Sequence, residues 1–146
     1  MGSEITLLSA DITDYEKMKD QFSRIKSCYK KINGVIHCAG ISKADNTEKS
    51  FRDIIEPKIT GTFIVDKLVE DENIDFFLMC SSAITLIGGV GSGAYTAANA
   101  YIDAFVDLGN NSKKIAVNWP TLKNTGLAKD LKVIEKKNYF IVYLLT

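Results

Sequence analysis

The chain has 146 residues, and its 18 lysines plus arginines balance 18 aspartates plus glutamates, for a formal net charge of zero. That balance excludes a strongly basic nucleic-acid binder and an acidic disordered tail. With 46% hydrophobic and 25% charged residues, a single ordinary domain spanning residues 1–146 is expected, large enough to bury about 68–70% of its unfolded surface without disulfide or metal staples. Cys28, Cys38 and Cys80 are odd in number and irregularly spaced, which fits a reduced, cytoplasmic setting and no metal site. No signal peptide or membrane span is expected.

In chain order, the first short apolar run is Ile5 to Ala10, expected as a strand. Thr13 to Ile32 follows with Tyr15, Met18, Phe22, Ile25, Tyr29 and Ile32 at spacings of three and four, the pattern of an amphipathic helix. Thr13 and Glu16 have the form of a capping box, and Asn33-Gly34 is the expected stop.

Val35 to Ala39 is the second expected strand, with His37 read as a strand-end histidine making a structural bond. Glu48 to Glu72 carries Phe51, Ile54, Ile55, Ile59, Phe63, Ile64 and Leu68 at helical spacing, and Pro57 should kink it or start a new segment. Phe76 to Cys80 has no polar alternation, as in a strand covered on both faces.

A glycine-rich loop, Gly88 to Gly93, leads into an alanine-rich helix from about Ala94 to Leu108, and Ile115 to Trp119 is the fourth expected strand. Tyr139 to Leu145 is a further β-prone run. This alternation predicts a parallel sheet flanked by helices, with ligands beyond the carboxyl ends of the strands.

Residues 81–100 place Ser81-Ser82 at the end of a buried strand, then the glycine loop, then Tyr95-Thr96-Ala97-Ala98-Asn99-Ala100 at the start of a helix. This stretch resembles the active-site segment of the short-chain dehydrogenase/reductase superfamily, and more narrowly that of the ketoreductase domains of modular polyketide synthases. Ala10-Asp11-Ile12-Thr13-Asp14, Gly34 through Gly40, Pro57-Lys58-Ile59-Thr60-Gly61 and Val117-Asn118-Trp119-Pro120 match further family segments in order. The resemblance covers roughly residues 5–131.

The resemblance implies an α/β fold, a partial Rossmann-like parallel sheet with helices on both faces that lacks the first two family strands. It implies NADPH-dependent reduction of a β-ketoacyl thioester on an acyl carrier protein, with other synthase domains as partners. Reducing a ketone builds negative charge on oxygen, which needs a proton donor and hydrogen-bond donors in place. The family assigns the donor to Tyr95, the supporting ammonium to Lys58, substrate hydrogen bonding to Ser82, and the lysine or a relay water to Asn99. Most of the wider superfamily has lysine at the position of Asn99, whereas the synthase ketoreductases take it from the earlier helix, as Lys58 does.

Cofactor contacts are implied for Asp11 and Ile12 near adenine, Ala39 and Gly40 near ribose, and Tyr95, Lys58 and Pro120 near nicotinamide. Taken singly, each residue has a plain structural reading: a half-buried tyrosine, a strand-end serine, a solvated lysine, a helix amide. The Gly89 to Ala94 match to the dinucleotide fingerprint is read as accidental, because no acidic residue ends the following strand.

The family's phosphate loop and first strands find no counterpart before Ile5, a stretch of roughly 60 residues by the size of a βαβ unit. The Ile5 strand is therefore expected to pair with the Val35 strand, to borrow strands from another chain as a homo-oligomer, or to sit loosely. An inert ketoreductase-derived interaction module is the competing reading, and a plain metabolic dehydrogenase a third. Neither stereochemical marker of the family stands after Gly40 or at Ile87.

Overall fold

The computed structural model describes residues 5–41, 48–109 and 111–120. Three parallel strands, β1 (Gly34–His37), β2 (Phe76–Ser82) and β3 (Lys114–Trp119), form a sheet in the order β1-β2-β3. Around it lie α1 (Tyr15–Tyr29), α2 (Glu48–Val69), the single turn α3 (Ile84–Ile87) and α4 (Gly93–Leu108). Each parallel step carries a helical crossover, so the order of elements builds the partial Rossmann-like fold.

The register sets His37 opposite Met79, Met79 opposite Ala116, and Ser82 opposite Trp119. Val35, Phe77 and Met79 point to one face, where they join a single buried cluster with Met18, Phe22 and Ile25 of α1, Ile64, Val65 and Val69 of α2, and Ile102 of α4. The alternate residues of β2 are half-buried.

α1 buries Met18, Phe22 and Ile25, as its spacing predicts. Its N-cap is Asp14, whose carboxylate accepts from the Lys17 backbone N–H at 3.1 Å, and not Thr13. Thr13 is already committed: its backbone N–H and hydroxyl both donate to Asp11 Oδ1, at 2.9 and 2.8 Å. The helix also stops earlier than Asn33-Gly34. Lys30 closes it at φ 64°, donating its backbone N–H to the Lys26 carbonyl at 2.8 Å.

Ile5 to Ala10 is not a strand. Among the described residues it joins no strand ladder, so of the three expected outcomes pairing with the Val35 strand is not made; its link to the helices is Thr6 Oγ1, 2.6 Å from the Tyr29 hydroxyl. Leu8 and Ala10 still pack against the core, while Ile5 and Leu7 are exposed.

Of the two outcomes expected at Pro57, a new segment is not made: the proline sits inside one continuous helix, α2, where a long buried stripe offsets the roughly 3 kcal/mol that an interior proline costs. The stripe itself is rotated. Of the expected stripe Ile54 and Ile64 are buried and Ile55, Ile59 and Leu68 half-buried, but Phe51 and Phe63 are exposed, and Ser50, Pro57, Lys58, Gly61, Thr62, Val65 and Val69 face inward as well. Small residues at this face let Ile12, fully buried, press against Gly61. The Tyr139 to Leu145 run lies outside the described residues.

Candidate active site

The sheet delivers its polar residues at the carboxyl end of β2. Cys80, Ser81 and Ser82 finish that strand, and three of the four residues singled out for catalysis either bond this stretch or belong to it. The fourth, Tyr95, reaches it through Asn99.

Lys58 comes from the inward stripe of α2, flanked along that face by Ile54 and Thr62, which explains how a lysine becomes 96% buried. Its ammonium donates to the Cys80 carbonyl at 2.6 Å. Burial pushes its pKa down to about 8, partly opposed by the negative fields of Cys80, Cys38 and Asp103. Gly40 lies directly against it, since a Cβ there would stand 3.0 Å from Lys58 Cε. A side chain at residue 40 would require the lysine to move by a few tenths of an ångström.

Ser82 Oγ accepts from the Ile84 backbone N–H at 3.3 Å, which leaves the hydroxyl's own hydrogen free to donate. Ser81, its neighbour, points the other way and is buried, with Oγ donating to the Asn99 backbone carbonyl at 3.3 Å. That bond ties β2 to α4. Asn99 is fully buried, its amide nitrogen donating to the Tyr95 carbonyl one turn earlier at 2.7 Å, while Oδ1 has no partner. Tyr95 is half-buried in the first turn of α4. Asn99 therefore does not bond Lys58 directly; the ammonium is taken by the strand-end carbonyl.

Asp11 is held by Thr13 and exposed. Ile12 is fully buried, backbone and side chain alike. Ala39 is buried, Gly40 half-buried, and Pro120 exposed. The glycine loop is exposed, with Gly88 and Gly91 at positive φ. α3 separates it from β2, so it does not form the direct strand-to-helix turn of a dinucleotide fingerprint.

His37 corrects the expectation of a structural bond. It is fully buried, among the described residues neither ring nitrogen has a partner within 3.5 Å, and burial lowers its pKa to about 3, helped by the Lys58 charge and opposed by the more weakly placed Pro57 backbone. It is a neutral core residue.

Two features escaped the sequence. Asn118 Nδ2 donates to Asp103 Oδ2 at 2.9 Å and Thr85 Oγ1 at 3.0 Å, bracing β3 against α3 and α4. Cys38 and Cys80 meet with their sulfurs 3.1 Å apart. Strand register decides both meetings, and neither residue carries a local signal of it.

The parallel sheet and its crossover helices form a partial Rossmann-like fold of the short-chain dehydrogenase/reductase type. Residues 1–124 match the family model described as the KR domain, and the chain belongs to that family. It is 36% identical to polyketide synthase PksM of Bacillus subtilis (strain 168) over 134 residues, 87% of this chain and 3% of the relative, and 33% identical to PksL of the same organism over 138 residues, 88% of the chain. Among solved structures, a ketoreductase domain from the bacillaene assembly line matches with a TM-score of 0.75 at 31% identity, covering 84% of this chain and 32% of that one. An N-terminal ketoreductase from the macrolactin assembly line matches at 0.73 and 32% identity, covering 77% and 25%. The chain thus spans about 3% of the length of these synthases and a quarter to a third of the ketoreductase structures. NAD+-bound xylitol dehydrogenase, at 21% identity and a TM-score of 0.68, shares the fold. No helix among the described residues is long and apolar enough to cross a membrane.

Proposed function

We infer that the chain carries the proton-transfer half of a ketoreductase that uses NADPH to reduce a β-ketoacyl thioester, presented by an acyl carrier protein, to the β-hydroxyacyl thioester. The observation that carries this reading is the buried Lys58 ammonium bonded to the carbonyl of Cys80, two residues before Ser82. The membership of the KR family supports the reaction class.

The residues present fit a nicotinamide cofactor. Gly40 offers backbone without a Cβ directly beside an ammonium, and the turn Ala39-Gly40 opens at a strand end, where such sheets bind dinucleotides. Ala39, Gly40, Lys58, Tyr95 and Pro120 would hold the nicotinamide and ribose, and Asp11 and Ile12 would lie nearest the adenine. When bound, the reduced nicotinamide supplies a hydride to the ketone carbon.

The chain's own residues manage the oxygen. Ser82 donates the hydrogen it has free and orients the carbonyl. Tyr95 donates its phenolic proton to the developing alkoxide. The Lys58 ammonium stabilises the charge left on the phenol oxygen, and a relay water would find its acceptor in Asn99 Oδ1, a buried atom without a partner among the described residues. Neighbouring synthase domains would supply and accept the carrier-bound chain.

Steady-state kinetics with a soluble β-ketoacyl thioester test the assignment. Tyr95→Phe should lower kcat at least about 100-fold, the low end of general acid catalysis, with KM little changed. Ser82→Ala should lower kcat and kcat/KM together. Unaltered kcat in Tyr95→Phe would remove tyrosine from the reaction.

A further inference from the structure

Cys38 and Cys80 stand side by side at the ends of β1 and β2, their sulfurs 3.1 Å apart, and nothing in the proposed reduction uses a thiol. The ladder explains the meeting. His37 lies opposite Met79, so one further step in the same register puts Cys38 opposite Cys80 on one side of the sheet. Adjacent strands run about 4.7–4.9 Å apart, inside the Cα separation of about 4.4–6.8 Å that a disulfide spans.

Access and reactivity are also present. Both thiols are free, Cys38 exposed and Cys80 half-buried. The Cys38 thiol, donating to the Cys80 sulfur, holds the Cys80 thiol below its ordinary pKa; burial opposes this, and the Trp119 indole and Lys58 ammonium reinforce it. The same hydrogen bond pushes the Cys38 thiol up. In a thiol–disulfide exchange Cys80, the residue whose carbonyl takes the Lys58 ammonium, is the attacking sulfur, and Cys38, in contact with it, the resolving one.

We propose that Cys38 and Cys80 form a redox-active dithiol, a modification site that low-molecular-weight disulfides such as oxidised glutathione convert into an intramolecular β1–β2 disulfide. The Cys80 thiolate attacks one sulfur of the small disulfide, whose S–S bond breaks and releases one thiolate. Cys38 gives up its proton and attacks Cys80 Sγ of the mixed disulfide, expelling the second small thiolate. Two protein thiols are oxidised, one small disulfide is reduced, and the two protons lost by the protein end on the two small thiols. The bridge would join the strand that leads into Ala39-Gly40 to the residue whose carbonyl holds Lys58. It depends on the thiols alone and stands apart from the ketoreductase reading.

The wild-type chain, treated with oxidised glutathione, alkylated and digested with trypsin without reduction, should yield peptide 32–43 linked to peptide 68–113, with a mass about 2 Da below the sum of the two reduced peptides. Cys28, exposed on α1, should appear only alkylated or glutathionylated. In Cys38→Ser the reaction should stop at a stable glutathione adduct on Cys80, and Cys80→Ser should slow modification of Cys38 at least tenfold. Recovery of Cys38 and Cys80 as separately alkylated or glutathionylated residues, once Cys28 has reacted, would overturn the proposal. So would a linkage found only between chains.

Discussion

Lys58 Nζ donates to the Cys80 carbonyl across 2.6 Å, joining α2 to the carboxyl end of the central strand through a buried positive charge. Burying that charge costs stability, and the lowered pKa of about 8 reports the cost. Above about pH 10.5 the lysine is neutral in both folded and unfolded chains. Below about pH 8 it is charged in both, and the full penalty applies. Between them the folded chain releases its proton first, so stability rises with pH. Relative to Lys58→Met, wild-type unfolding free energy should gain on the order of 3 kcal/mol between pH 7.5 and 10.5. Denaturant melts at a series of pH values check this, and a difference independent of pH would contradict it. In the proposed mechanism the charged form supports Tyr95, so that mechanism predicts kcat/KM falling above about pH 8.

His37 adds a second rise of stability with pH, in a lower window. Its pKa, lowered to about 3 by burial, keeps the folded ring neutral while the unfolded ring takes up a proton below about pH 6.5. Stability is thus lost as pH falls through that window, by about 1.4 kcal/mol per pH unit. Urea melts should show His37→Leu losing less than wild type between pH 6.5 and 5. Parallel curves would mean that the ring is protonated in the folded chain.

Gly61 and Ile12 form a contact without slack. Alanine at 61 would gain about 1 kcal/mol of helix propensity, yet its Cβ would stand 3.0 Å from Ile12 Cγ2, and Ile12 is fully buried. Gly61→Ala should therefore destabilise by about 1–3 kcal/mol. In an Ile12→Ala background, itself costing about 2–5 kcal/mol, the same substitution should stabilise. Thermal melts of this double-mutant cycle read the change of sign.

Lys30 closes α1 at φ 64°, a region disfavoured for a residue with a Cβ. Lys30→Gly relieves that strain and should raise the unfolding free energy by about 1 kcal/mol. A loss of stability instead would show that the lysine side chain contributes more than its backbone costs.

Local chemistry made much of this architecture readable. The unbroken apolar run at Phe76 and the three-four spacing of Met18, Phe22 and Ile25 each specify one element by periodicity. Ser82, Tyr95 and Asn99 were legible because the family segment keeps them near one another in sequence. What local chemistry cannot encode is decided between elements. Which side of α2 turns inward depended on Gly61 and Thr62 admitting close neighbours, so Phe51 and Phe63 were misplaced. Ile5 to Ala10 has the composition of a strand, but a strand exists only with a partner. The Cys38–Cys80 pair depends on register, which a sequence of two separate runs leaves open.

The most direct test of the account follows the hydride. The product of the gene that carries this chain, supplied with NADPH deuterated at the transferable position of the nicotinamide and with a β-ketoacyl thioester, should form β-hydroxyacyl thioester with one deuterium on the β carbon. Mass spectrometry should show that product falling at least about 100-fold in Tyr95→Phe. Deuterium incorporation undiminished by loss of the Tyr95 hydroxyl, or absent from the wild-type product altogether, would contradict the assignment of these residues to ketone reduction.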